Sequence, residues 1–203
     1  IKVVPAAAVD IDGKISAADA NALVKVSYGI VTADIKDGSV AATLKALKDV
    51  GVIAKADVFT FASTDKTAKA SELVALADKI GDTNFTAAKI ETITGTALDA
   101  ASGDIAAALD LSNIAANPEV KISGTVDAAY INDILTATTA KVTATLAADT
   151  AANLATALSD GADENAINVT VIDAVAATTA ANLNTIAKAT TGKVKVDAKD
   201  LTG

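Results

Sequence analysis

Short runs in which aliphatic and polar residues alternate recur along the chain. Each is followed by an Ala-rich run carrying two large aliphatics three or four residues apart. A period of two marks a strand with one buried face, whereas aliphatics at i and i+3 or i+4 share one face of a helix. Strands are therefore predicted at 9–11, 30–35, 58–61 and 90–93, and then within PEVKISG, AKVTATLA, INVTVIDA and KVKVDA. The intervening helices are marked by Leu23/Val26, Leu44/Leu47, Leu73/Leu76, Ile105/Leu109, Ile131/Ile134, Leu154/Leu158 and Leu183/Ile186.

The first aliphatics of these pairs lie 21 to 32 residues apart, within the ~20–50 residue period of stacked repeat architectures. Seven degenerate β-α units follow, at about 1–29, 30–51, 52–81, 82–117, 118–139, 140–165 and 166–192, with a further one starting at 193–203. Turn chemistry fits these boundaries. Ser16, Asp127 and Asp149 stand before helical runs as N-caps. Gly29, Gly51, Gly81, Gly161 and Gly192 stand near helix exits, where positive φ is expected. Asn117-Pro118 closes a helix and opens a strand.

One unit offers roughly four to six aliphatic side chains worth ~1.5–3 kcal/mol each on burial. Ordering costs about 1.5 kcal/mol per residue, so a unit cannot fold alone. Stacking solves this by pairing strands in parallel and covering each helix with the next. The expected fold is α/β: a right-handed β-α solenoid, a superhelix like that of leucine-rich repeats, with a parallel sheet on one side and short Ala-rich helices on the other. The whole of 1–203 is read as one elongated repeat domain. If Val9/Ile11, Phe59/Phe61, Val120/Ile122, Val169/Val171 and Val194/Val196 point inward, then Asp10, Thr60, Lys121, Thr170 and Lys195 form a solvated outer face.

Composition removes much chemistry. His, Cys, Met and Trp are absent, and all 17 basic residues are Lys. No conventional zinc site, imidazole base or thiol nucleophile can be built from this set. The net charge of −8 with no Lys cluster argues against nucleic-acid binding. No apolar run approaches the ~18 residues of a membrane span, so membrane insertion is not expected. Aromatics are only 2% of the chain, so Ala, Val, Leu and Ile must supply the core; Tyr28 and Tyr130 are expected at packing or inter-unit positions. The chain starts at Ile1 without a leader-like segment and ends within KVKVDAKDLTG, which reads as a piece of something longer.

The stretch NAINVTVIDAVAATTAANLNTIAKATTGKVKVDAKDLTG resembles the Ala/Thr-rich repeats of giant secreted cyanobacterial and marine bacterial surface proteins, which often also carry hemolysin-type calcium-binding repeats. The likeness is strongest over 165–203, is echoed by IETITGTALDAASGDIAAAL at 90–109, and is loose over 6–82. It implies secretion, a cell-surface location and an adhesin or surface-layer role, and it carries no catalytic residues. The calcium nonapeptide GGxGxDxUx is missing here.

Two acidic stretches are calcium candidates. AVDIDGKISAAD places Asp10, Asp12 and Asp19 at spacings that resemble half of an EF-hand loop, and SDGADEN groups Asp160, Asp163, Glu164 and Asn165 between a helix and a strand. Their plainer readings are a strand with its turn and a solvated connector. The expectation is a non-enzymatic scaffold segment of a secreted surface protein with no required cofactor. Its partners would be neighbouring repeats of the same long chain, with self-association or a glycan or cell-surface contact. The alternative is a binding module whose sheet face or acidic turns hold a glycan, Ca²⁺ or another surface.

Overall fold

The computed structural model of the chain describes residues 7–50, 56–161, 164–172 and 179–197. Strands and helices alternate. The order begins β1 (Val9–Ile15), α1 (Ala17–Val26), β2 (Val31–Ile35), α2 (Val40–Ala46), β3 (Val58–Ala62), β4 (Thr67–Lys69), α3 (Ala70–Ile80) and β5 (Phe85–Thr86). It continues β6 (Thr92–Thr96), α4 (Ala97–Ala101), α5 (Asp104–Leu109), β7 (Glu119–Val126), α6 (Ala128–Ala137), β8 (Val142–Leu146), α7 (Ala151–Ala157), β9 (Ala166–Val171), α8 (Ala180–Lys188) and β10 (Val194–Val196).

The fold is α/β with parallel sheets. Two compact units account for the chain: Ile1–Ala68 with Glu72–Ile90 and Leu111–Ala116, and Lys69–Ser71 with Glu91–Asp110 and Asn117–Gly203. The first holds a sheet ordered β1-β2-β3-β5; a six-stranded sheet runs β4-β6-β7-β8-β9-β10. Successive strands lie side by side and parallel, as in Val9 against Val31, Ile93 against Val120, and Val169 against Val194.

The alternation sorts the two faces. Phe59, Phe61, Val120, Ile122, Val169 and Val171 are buried, while Asp10, Thr60, Lys121 and Lys195 are exposed and Thr170 is half-buried. Phe61 stacks on Phe85 with ring centroids 5.9 Å apart. At the outermost strands burial falls away: Val9, Ile11 and Val194 are only half-buried and Val196 is exposed.

Helix faces follow the aliphatic pairs at Leu73/Leu76, Ile105/Leu109, Ile131/Ile134 and Leu154/Leu158, which are all buried. α1 departs from expectation. It buries Ala20, Asn21 and Val24, leaving Leu23 half-buried and Val26 73% exposed. Tyr28 and Tyr130, expected at packing or inter-unit positions, are 92% and 40% exposed.

Caps also correct the sequence reading. Ser16 and Asp127 cap α1 and α6, but α7 is capped by Thr150, whose hydroxyl accepts from Asn153 N, while Asp149 accepts from Thr150 N at 2.7 Å. Among the glycines read as positive-φ helix exits, Gly81 has φ +86, Gly51 lies outside the described residues, and Gly29, Gly161 and Gly192 do not adopt positive φ. The reason for Gly29 and Gly192 is proximity. A Cβ on Gly29 would collide with the Ala7 carbonyl, and one on Gly192 with the Ile167 backbone.

Residues 9–49 and 120–160 repeat one another position for position. The strand β1 and its counterpart β7 each carry a bulge, and each bulge holds a left-handed glycine, Gly13 (φ +88) and Gly124 (φ +84), three residues before the N-cap. In this way VDIDGKIS matches VKISGTVD. Ser27 and Thr138 then hold the same turn: the Ser27 hydroxyl accepts from Gly29 N at 3.1 Å and the Thr138 hydroxyl from Ala140 N at 3.1 Å. Gly38 bridges Ser63 in the first copy as Asp149 bridges Val171 in the second. β1-α1-β2-α2-β3 and β7-α6-β8-α7-β9 are thus two copies of one arrangement.

Polar side chains in the turns tie each strand to the next. Val31 N donates to Asp57 Oδ1 at 2.8 Å, and in the second copy Val142 N donates to Asn165 Oδ1 at 2.8 Å. One strand later Ile167 N donates to Thr190 Oγ1 at 2.8 Å, and the Thr190 hydroxyl lies 3.0 Å from the Asn165 carbonyl and 2.9 Å from the Ile167 carbonyl. These bonds satisfy the first backbone donor of a parallel strand, which the sheet ladder alone would leave unpaired.

Candidate functional site

The first acidic stretch is built by β1 and the start of α1. Asp10 and Asp12 are exposed on the strand, and Gly13 forms the bulge. Asp19 lies in the first turn of α1, where it completes a cap: its N–H donates to Ser16 Oγ at 3.1 Å and its carboxylate accepts from the Ser16 hydroxyl at 2.6 Å. Negative charge at a helix start is stabilised there without any ligand.

The second stretch is used by the fold. Asn165 is buried and its amide oxygen is taken by Val142 N. With the Asn132 amide turned so that its nitrogen faces these acceptors, as its surroundings require, it donates to Asp160 Oδ2 at 3.1 Å and to the Ala157 carbonyl at 3.2 Å. The counterpart of Asp160, Asp49, is clamped by Asn21 through two bonds of 2.8 Å, amide to carboxylate and backbone N–H to amide oxygen. Glu164 is exposed, and Asp163 lies outside the described residues. Among the described residues, no three acidic side chains come together in a group able to hold a metal.

A groove the sequence reading missed opens along α6 and α7. Its volume is about 450 Å³, and Asp127, Asn132, Asp149, Asn153 and Thr156 line it over a floor of alanines that includes Ala128 and Ala157. Asp127 accepts from Ala129 N at 3.0 Å, and Asp149 Oδ1 accepts from Thr150 N and from Asn153 Nδ2 at 3.0 Å. In the first copy the matching positions are Ser16, Asn21, Gly38, Ala42 and Lys45. The clamp asparagine is common to both copies and Asp127 is matched by the capping Ser16, whereas Asp149, Asn153 and Thr156 are particular to the second. That difference was legible by setting 9–49 against 120–160. The groove offers carboxylates, amides and a hydroxyl above methyl groups, a set that suits a hydroxyl-rich, uncharged ligand and lacks a nucleophile paired with a base.

Three carboxyls titrate below the ordinary range. Asp37 is lowered by the Lys14 ammonium, 2.6 Å away. Asp49 is lowered by the Asn21 amide and then by Lys25, against the opposing effect of burial. At Asp99 burial pushes upward, and the Thr96 hydroxyl and N–H of the capping box at the start of α4, with Ser71 and Lys69, together more than offset it. All three are structural contacts.

No helix among the described residues is long and apolar enough to cross a membrane. No family model, no curated protein and no solved structure matches the chain.

Proposed function

We propose that this chain is a scaffold segment of a secreted bacterial cell-surface protein, in which β-α coils stack into a right-handed superhelix and supply length and an exposed face. On this reading it is not an enzyme, requires no cofactor, and works outside the cell as part of a surface layer, filament or giant adhesin. The observation that carries it is the duplication of 9–49 as 120–160, down to matched bulges, bridges and the bonds Val31 to Asp57 and Val142 to Asn165. Repeating one coil arrangement with its inter-coil bonds intact is how length is built from units that cannot fold singly. The Ala/Thr-rich resemblance adds the secreted setting.

Small-angle scattering at low concentration tests the reading. A stack of coils gives an elongated particle; a compact profile with a single-core radius would refute it.

The groove along α6 and α7 favours a second reading, a binding module for a neutral glycan. Titration with oligosaccharides, followed by chemical shifts of Asn132 and Asn153, tests it, and unchanged spectra at millimolar sugar would remove it.

A further inference from the structure

The groove along α6 and α7 lies wholly within the second compact unit. Folding does not ask for its polar lining. The first copy builds the same pair of helices, and Ser39 caps α2 with its hydroxyl as Thr150 caps α7. Yet it holds Gly38, Ala42 and Lys45 where the groove holds Asp149, Asn153 and Thr156. Asn153 and Thr156 stand inside α7, and both are poorer helix formers than the Ala42 and Lys45 they match. Residues that break a local preference which the same fold satisfies elsewhere mark a functional site.

The hydrogen bonds already made decide what the groove still offers. Asp127 Oδ1 takes Ala129 N at 3.0 Å, and Asp149 Oδ1 takes Thr150 N at 2.7 Å and Asn153 Nδ2 at 3.0 Å. Among the described residues no donor reaches the second oxygen of either carboxylate, or Asn153 Oδ1. Thr156 gives its proton to the Ala152 carbonyl at 3.0 Å, which leaves its oxygen as an acceptor. The open positions on these residues are therefore acceptors, apart from the second amide proton of Asn153. Both carboxylates stand at helix starts, where the backbone dipole offsets their charge. The surplus is one of lone pairs more than of negative field, and it suits O–H donors better than cations.

We infer that Asp149 and Asn153 form a specificity clamp for two adjacent hydroxyls of a pyranose ring. One hydroxyl donates to Asp149 Oδ2, and its neighbour is met by the Asn153 amide. Asp127 and Thr156 accept further hydroxyls, and the methyls of Ala128 and Ala157 take the C–H groups of the ring. The bond from Asn153 Nδ2 to Asp149 Oδ1 holds both side chains in place before the sugar arrives, so little ordering is left to binding. The volume of about 450 Å³ lies within the ~300–1,000 Å³ of small-molecule sites. Gly38 and Ala42 leave the first copy without a clamp, so the two copies supply one site between them. The inference rests on reading the groove as a neutral-glycan site and adds the group that it grips.

Chemical-shift titration of the whole chain with cellotriose, maltotriose and mannotriose tests it, followed by single-deoxy forms of the sugar that binds. Shifts are expected at Asn153 and Ala129, with one sugar bound per chain. Asp149→Gly and Asn153→Ala, which install the residues of the first copy, should each weaken binding roughly tenfold while circular dichroism shows an intact fold. Deoxygenation at either of two adjacent ring positions should cost about as much, and this arm needs no change to the protein. A sugar that binds both variants as tightly as the wild type, or whose deoxy forms all bind equally well, overturns the clamp and leaves the glycan reading standing. No shift with any of the three sugars at millimolar concentration removes both. So does a response to the triamine spermidine in place of the sugars, the mark of a cation site.

Discussion

The Asn165 side chain accepts the backbone N–H of Val142 at 2.8 Å, across the gap between one strand and the turn that leads into the next. Asn165 is buried, and its own carbonyl receives Thr191 N at 2.7 Å and the hydroxyls of Thr190 and Thr191. Asn165→Ala therefore strands a buried donor. The expected loss is about 1–3 kcal/mol in urea unfolding.

Thr190→Val keeps the shape but removes the acceptor used by Ile167 N and Gly192 N, both at 2.8 Å. A loss of similar size is expected. Because Thr190 and Asn165 share bonds, the double variant should fall short of the summed losses, and strict additivity in a double-mutant cycle would contradict a joined network.

Stability should vary little from about pH 5 to 9, because the chain has neither His nor Cys, the side chains that ordinarily titrate there. Asp37, Asp49 and Asp99 titrate below the ordinary value of 3.8 when folded. The unfolded chain then binds more protons in that window, so the stability these groups add is full above the ordinary value and is lost as pH falls through the folded values. Thermal melts across acid pH should decline there. Asn21→Ala should raise the Asp49 value toward 3.8 by carboxyl-carbon NMR, and an unmoved Asp49 would show that the clamp is not its cause.

Calcium should leave the melting temperature unchanged up to millimolar levels. Asn165 and Asp160 are already committed to Val142 and Asn132, and Asp19 to its cap. A site selective for the folded state must raise the melting temperature, so a rise of several degrees would return Asp10, Asp12 and Glu164 to consideration as ligands.

Gly13→Ala and Gly124→Ala should each cost on the order of 1 kcal/mol, the penalty of a left-handed backbone for a residue with Cβ. Neither position meets a close neighbour: nothing lies within 4 Å of a Cβ on Gly13, and the nearest atom to one on Gly124 is Ala97 Cβ at 3.6 Å. Unequal losses in chemical denaturation would mean that the two bulges are not equivalent.

Strand placement was legible because alternation is a local signal: Phe59/Phe61, Val120/Ile122 and Val169/Val171 each face the core as their spacing requires. Helix faces were less so. In α1 the small residues leave several faces nearly equally apolar, and the buried one is chosen by Asn21, whose partner Asp49 lies far along the chain. The same distance hid the role of Asn165, which reads as a metal ligand until the backbone N–H of Val142 is brought beside it. β4 and β5 are too short to show any period, and the break between α4 and α5 at Gly103 (φ +83) leaves no mark in the aliphatic spacing.

Each turn side chain reaches only to the adjacent strand, so the connecting stretches outside these bonds can change length at little cost. Asp160 and Asn165 are separated by fewer residues than Asp49 and Asp57, yet the strands beyond them keep the same bridges and donors. On the proposed stacked-coil reading, a gene encoding such a protein can gain or lose whole coils, or trim a loop, while every surviving junction is rebuilt from its immediate neighbours.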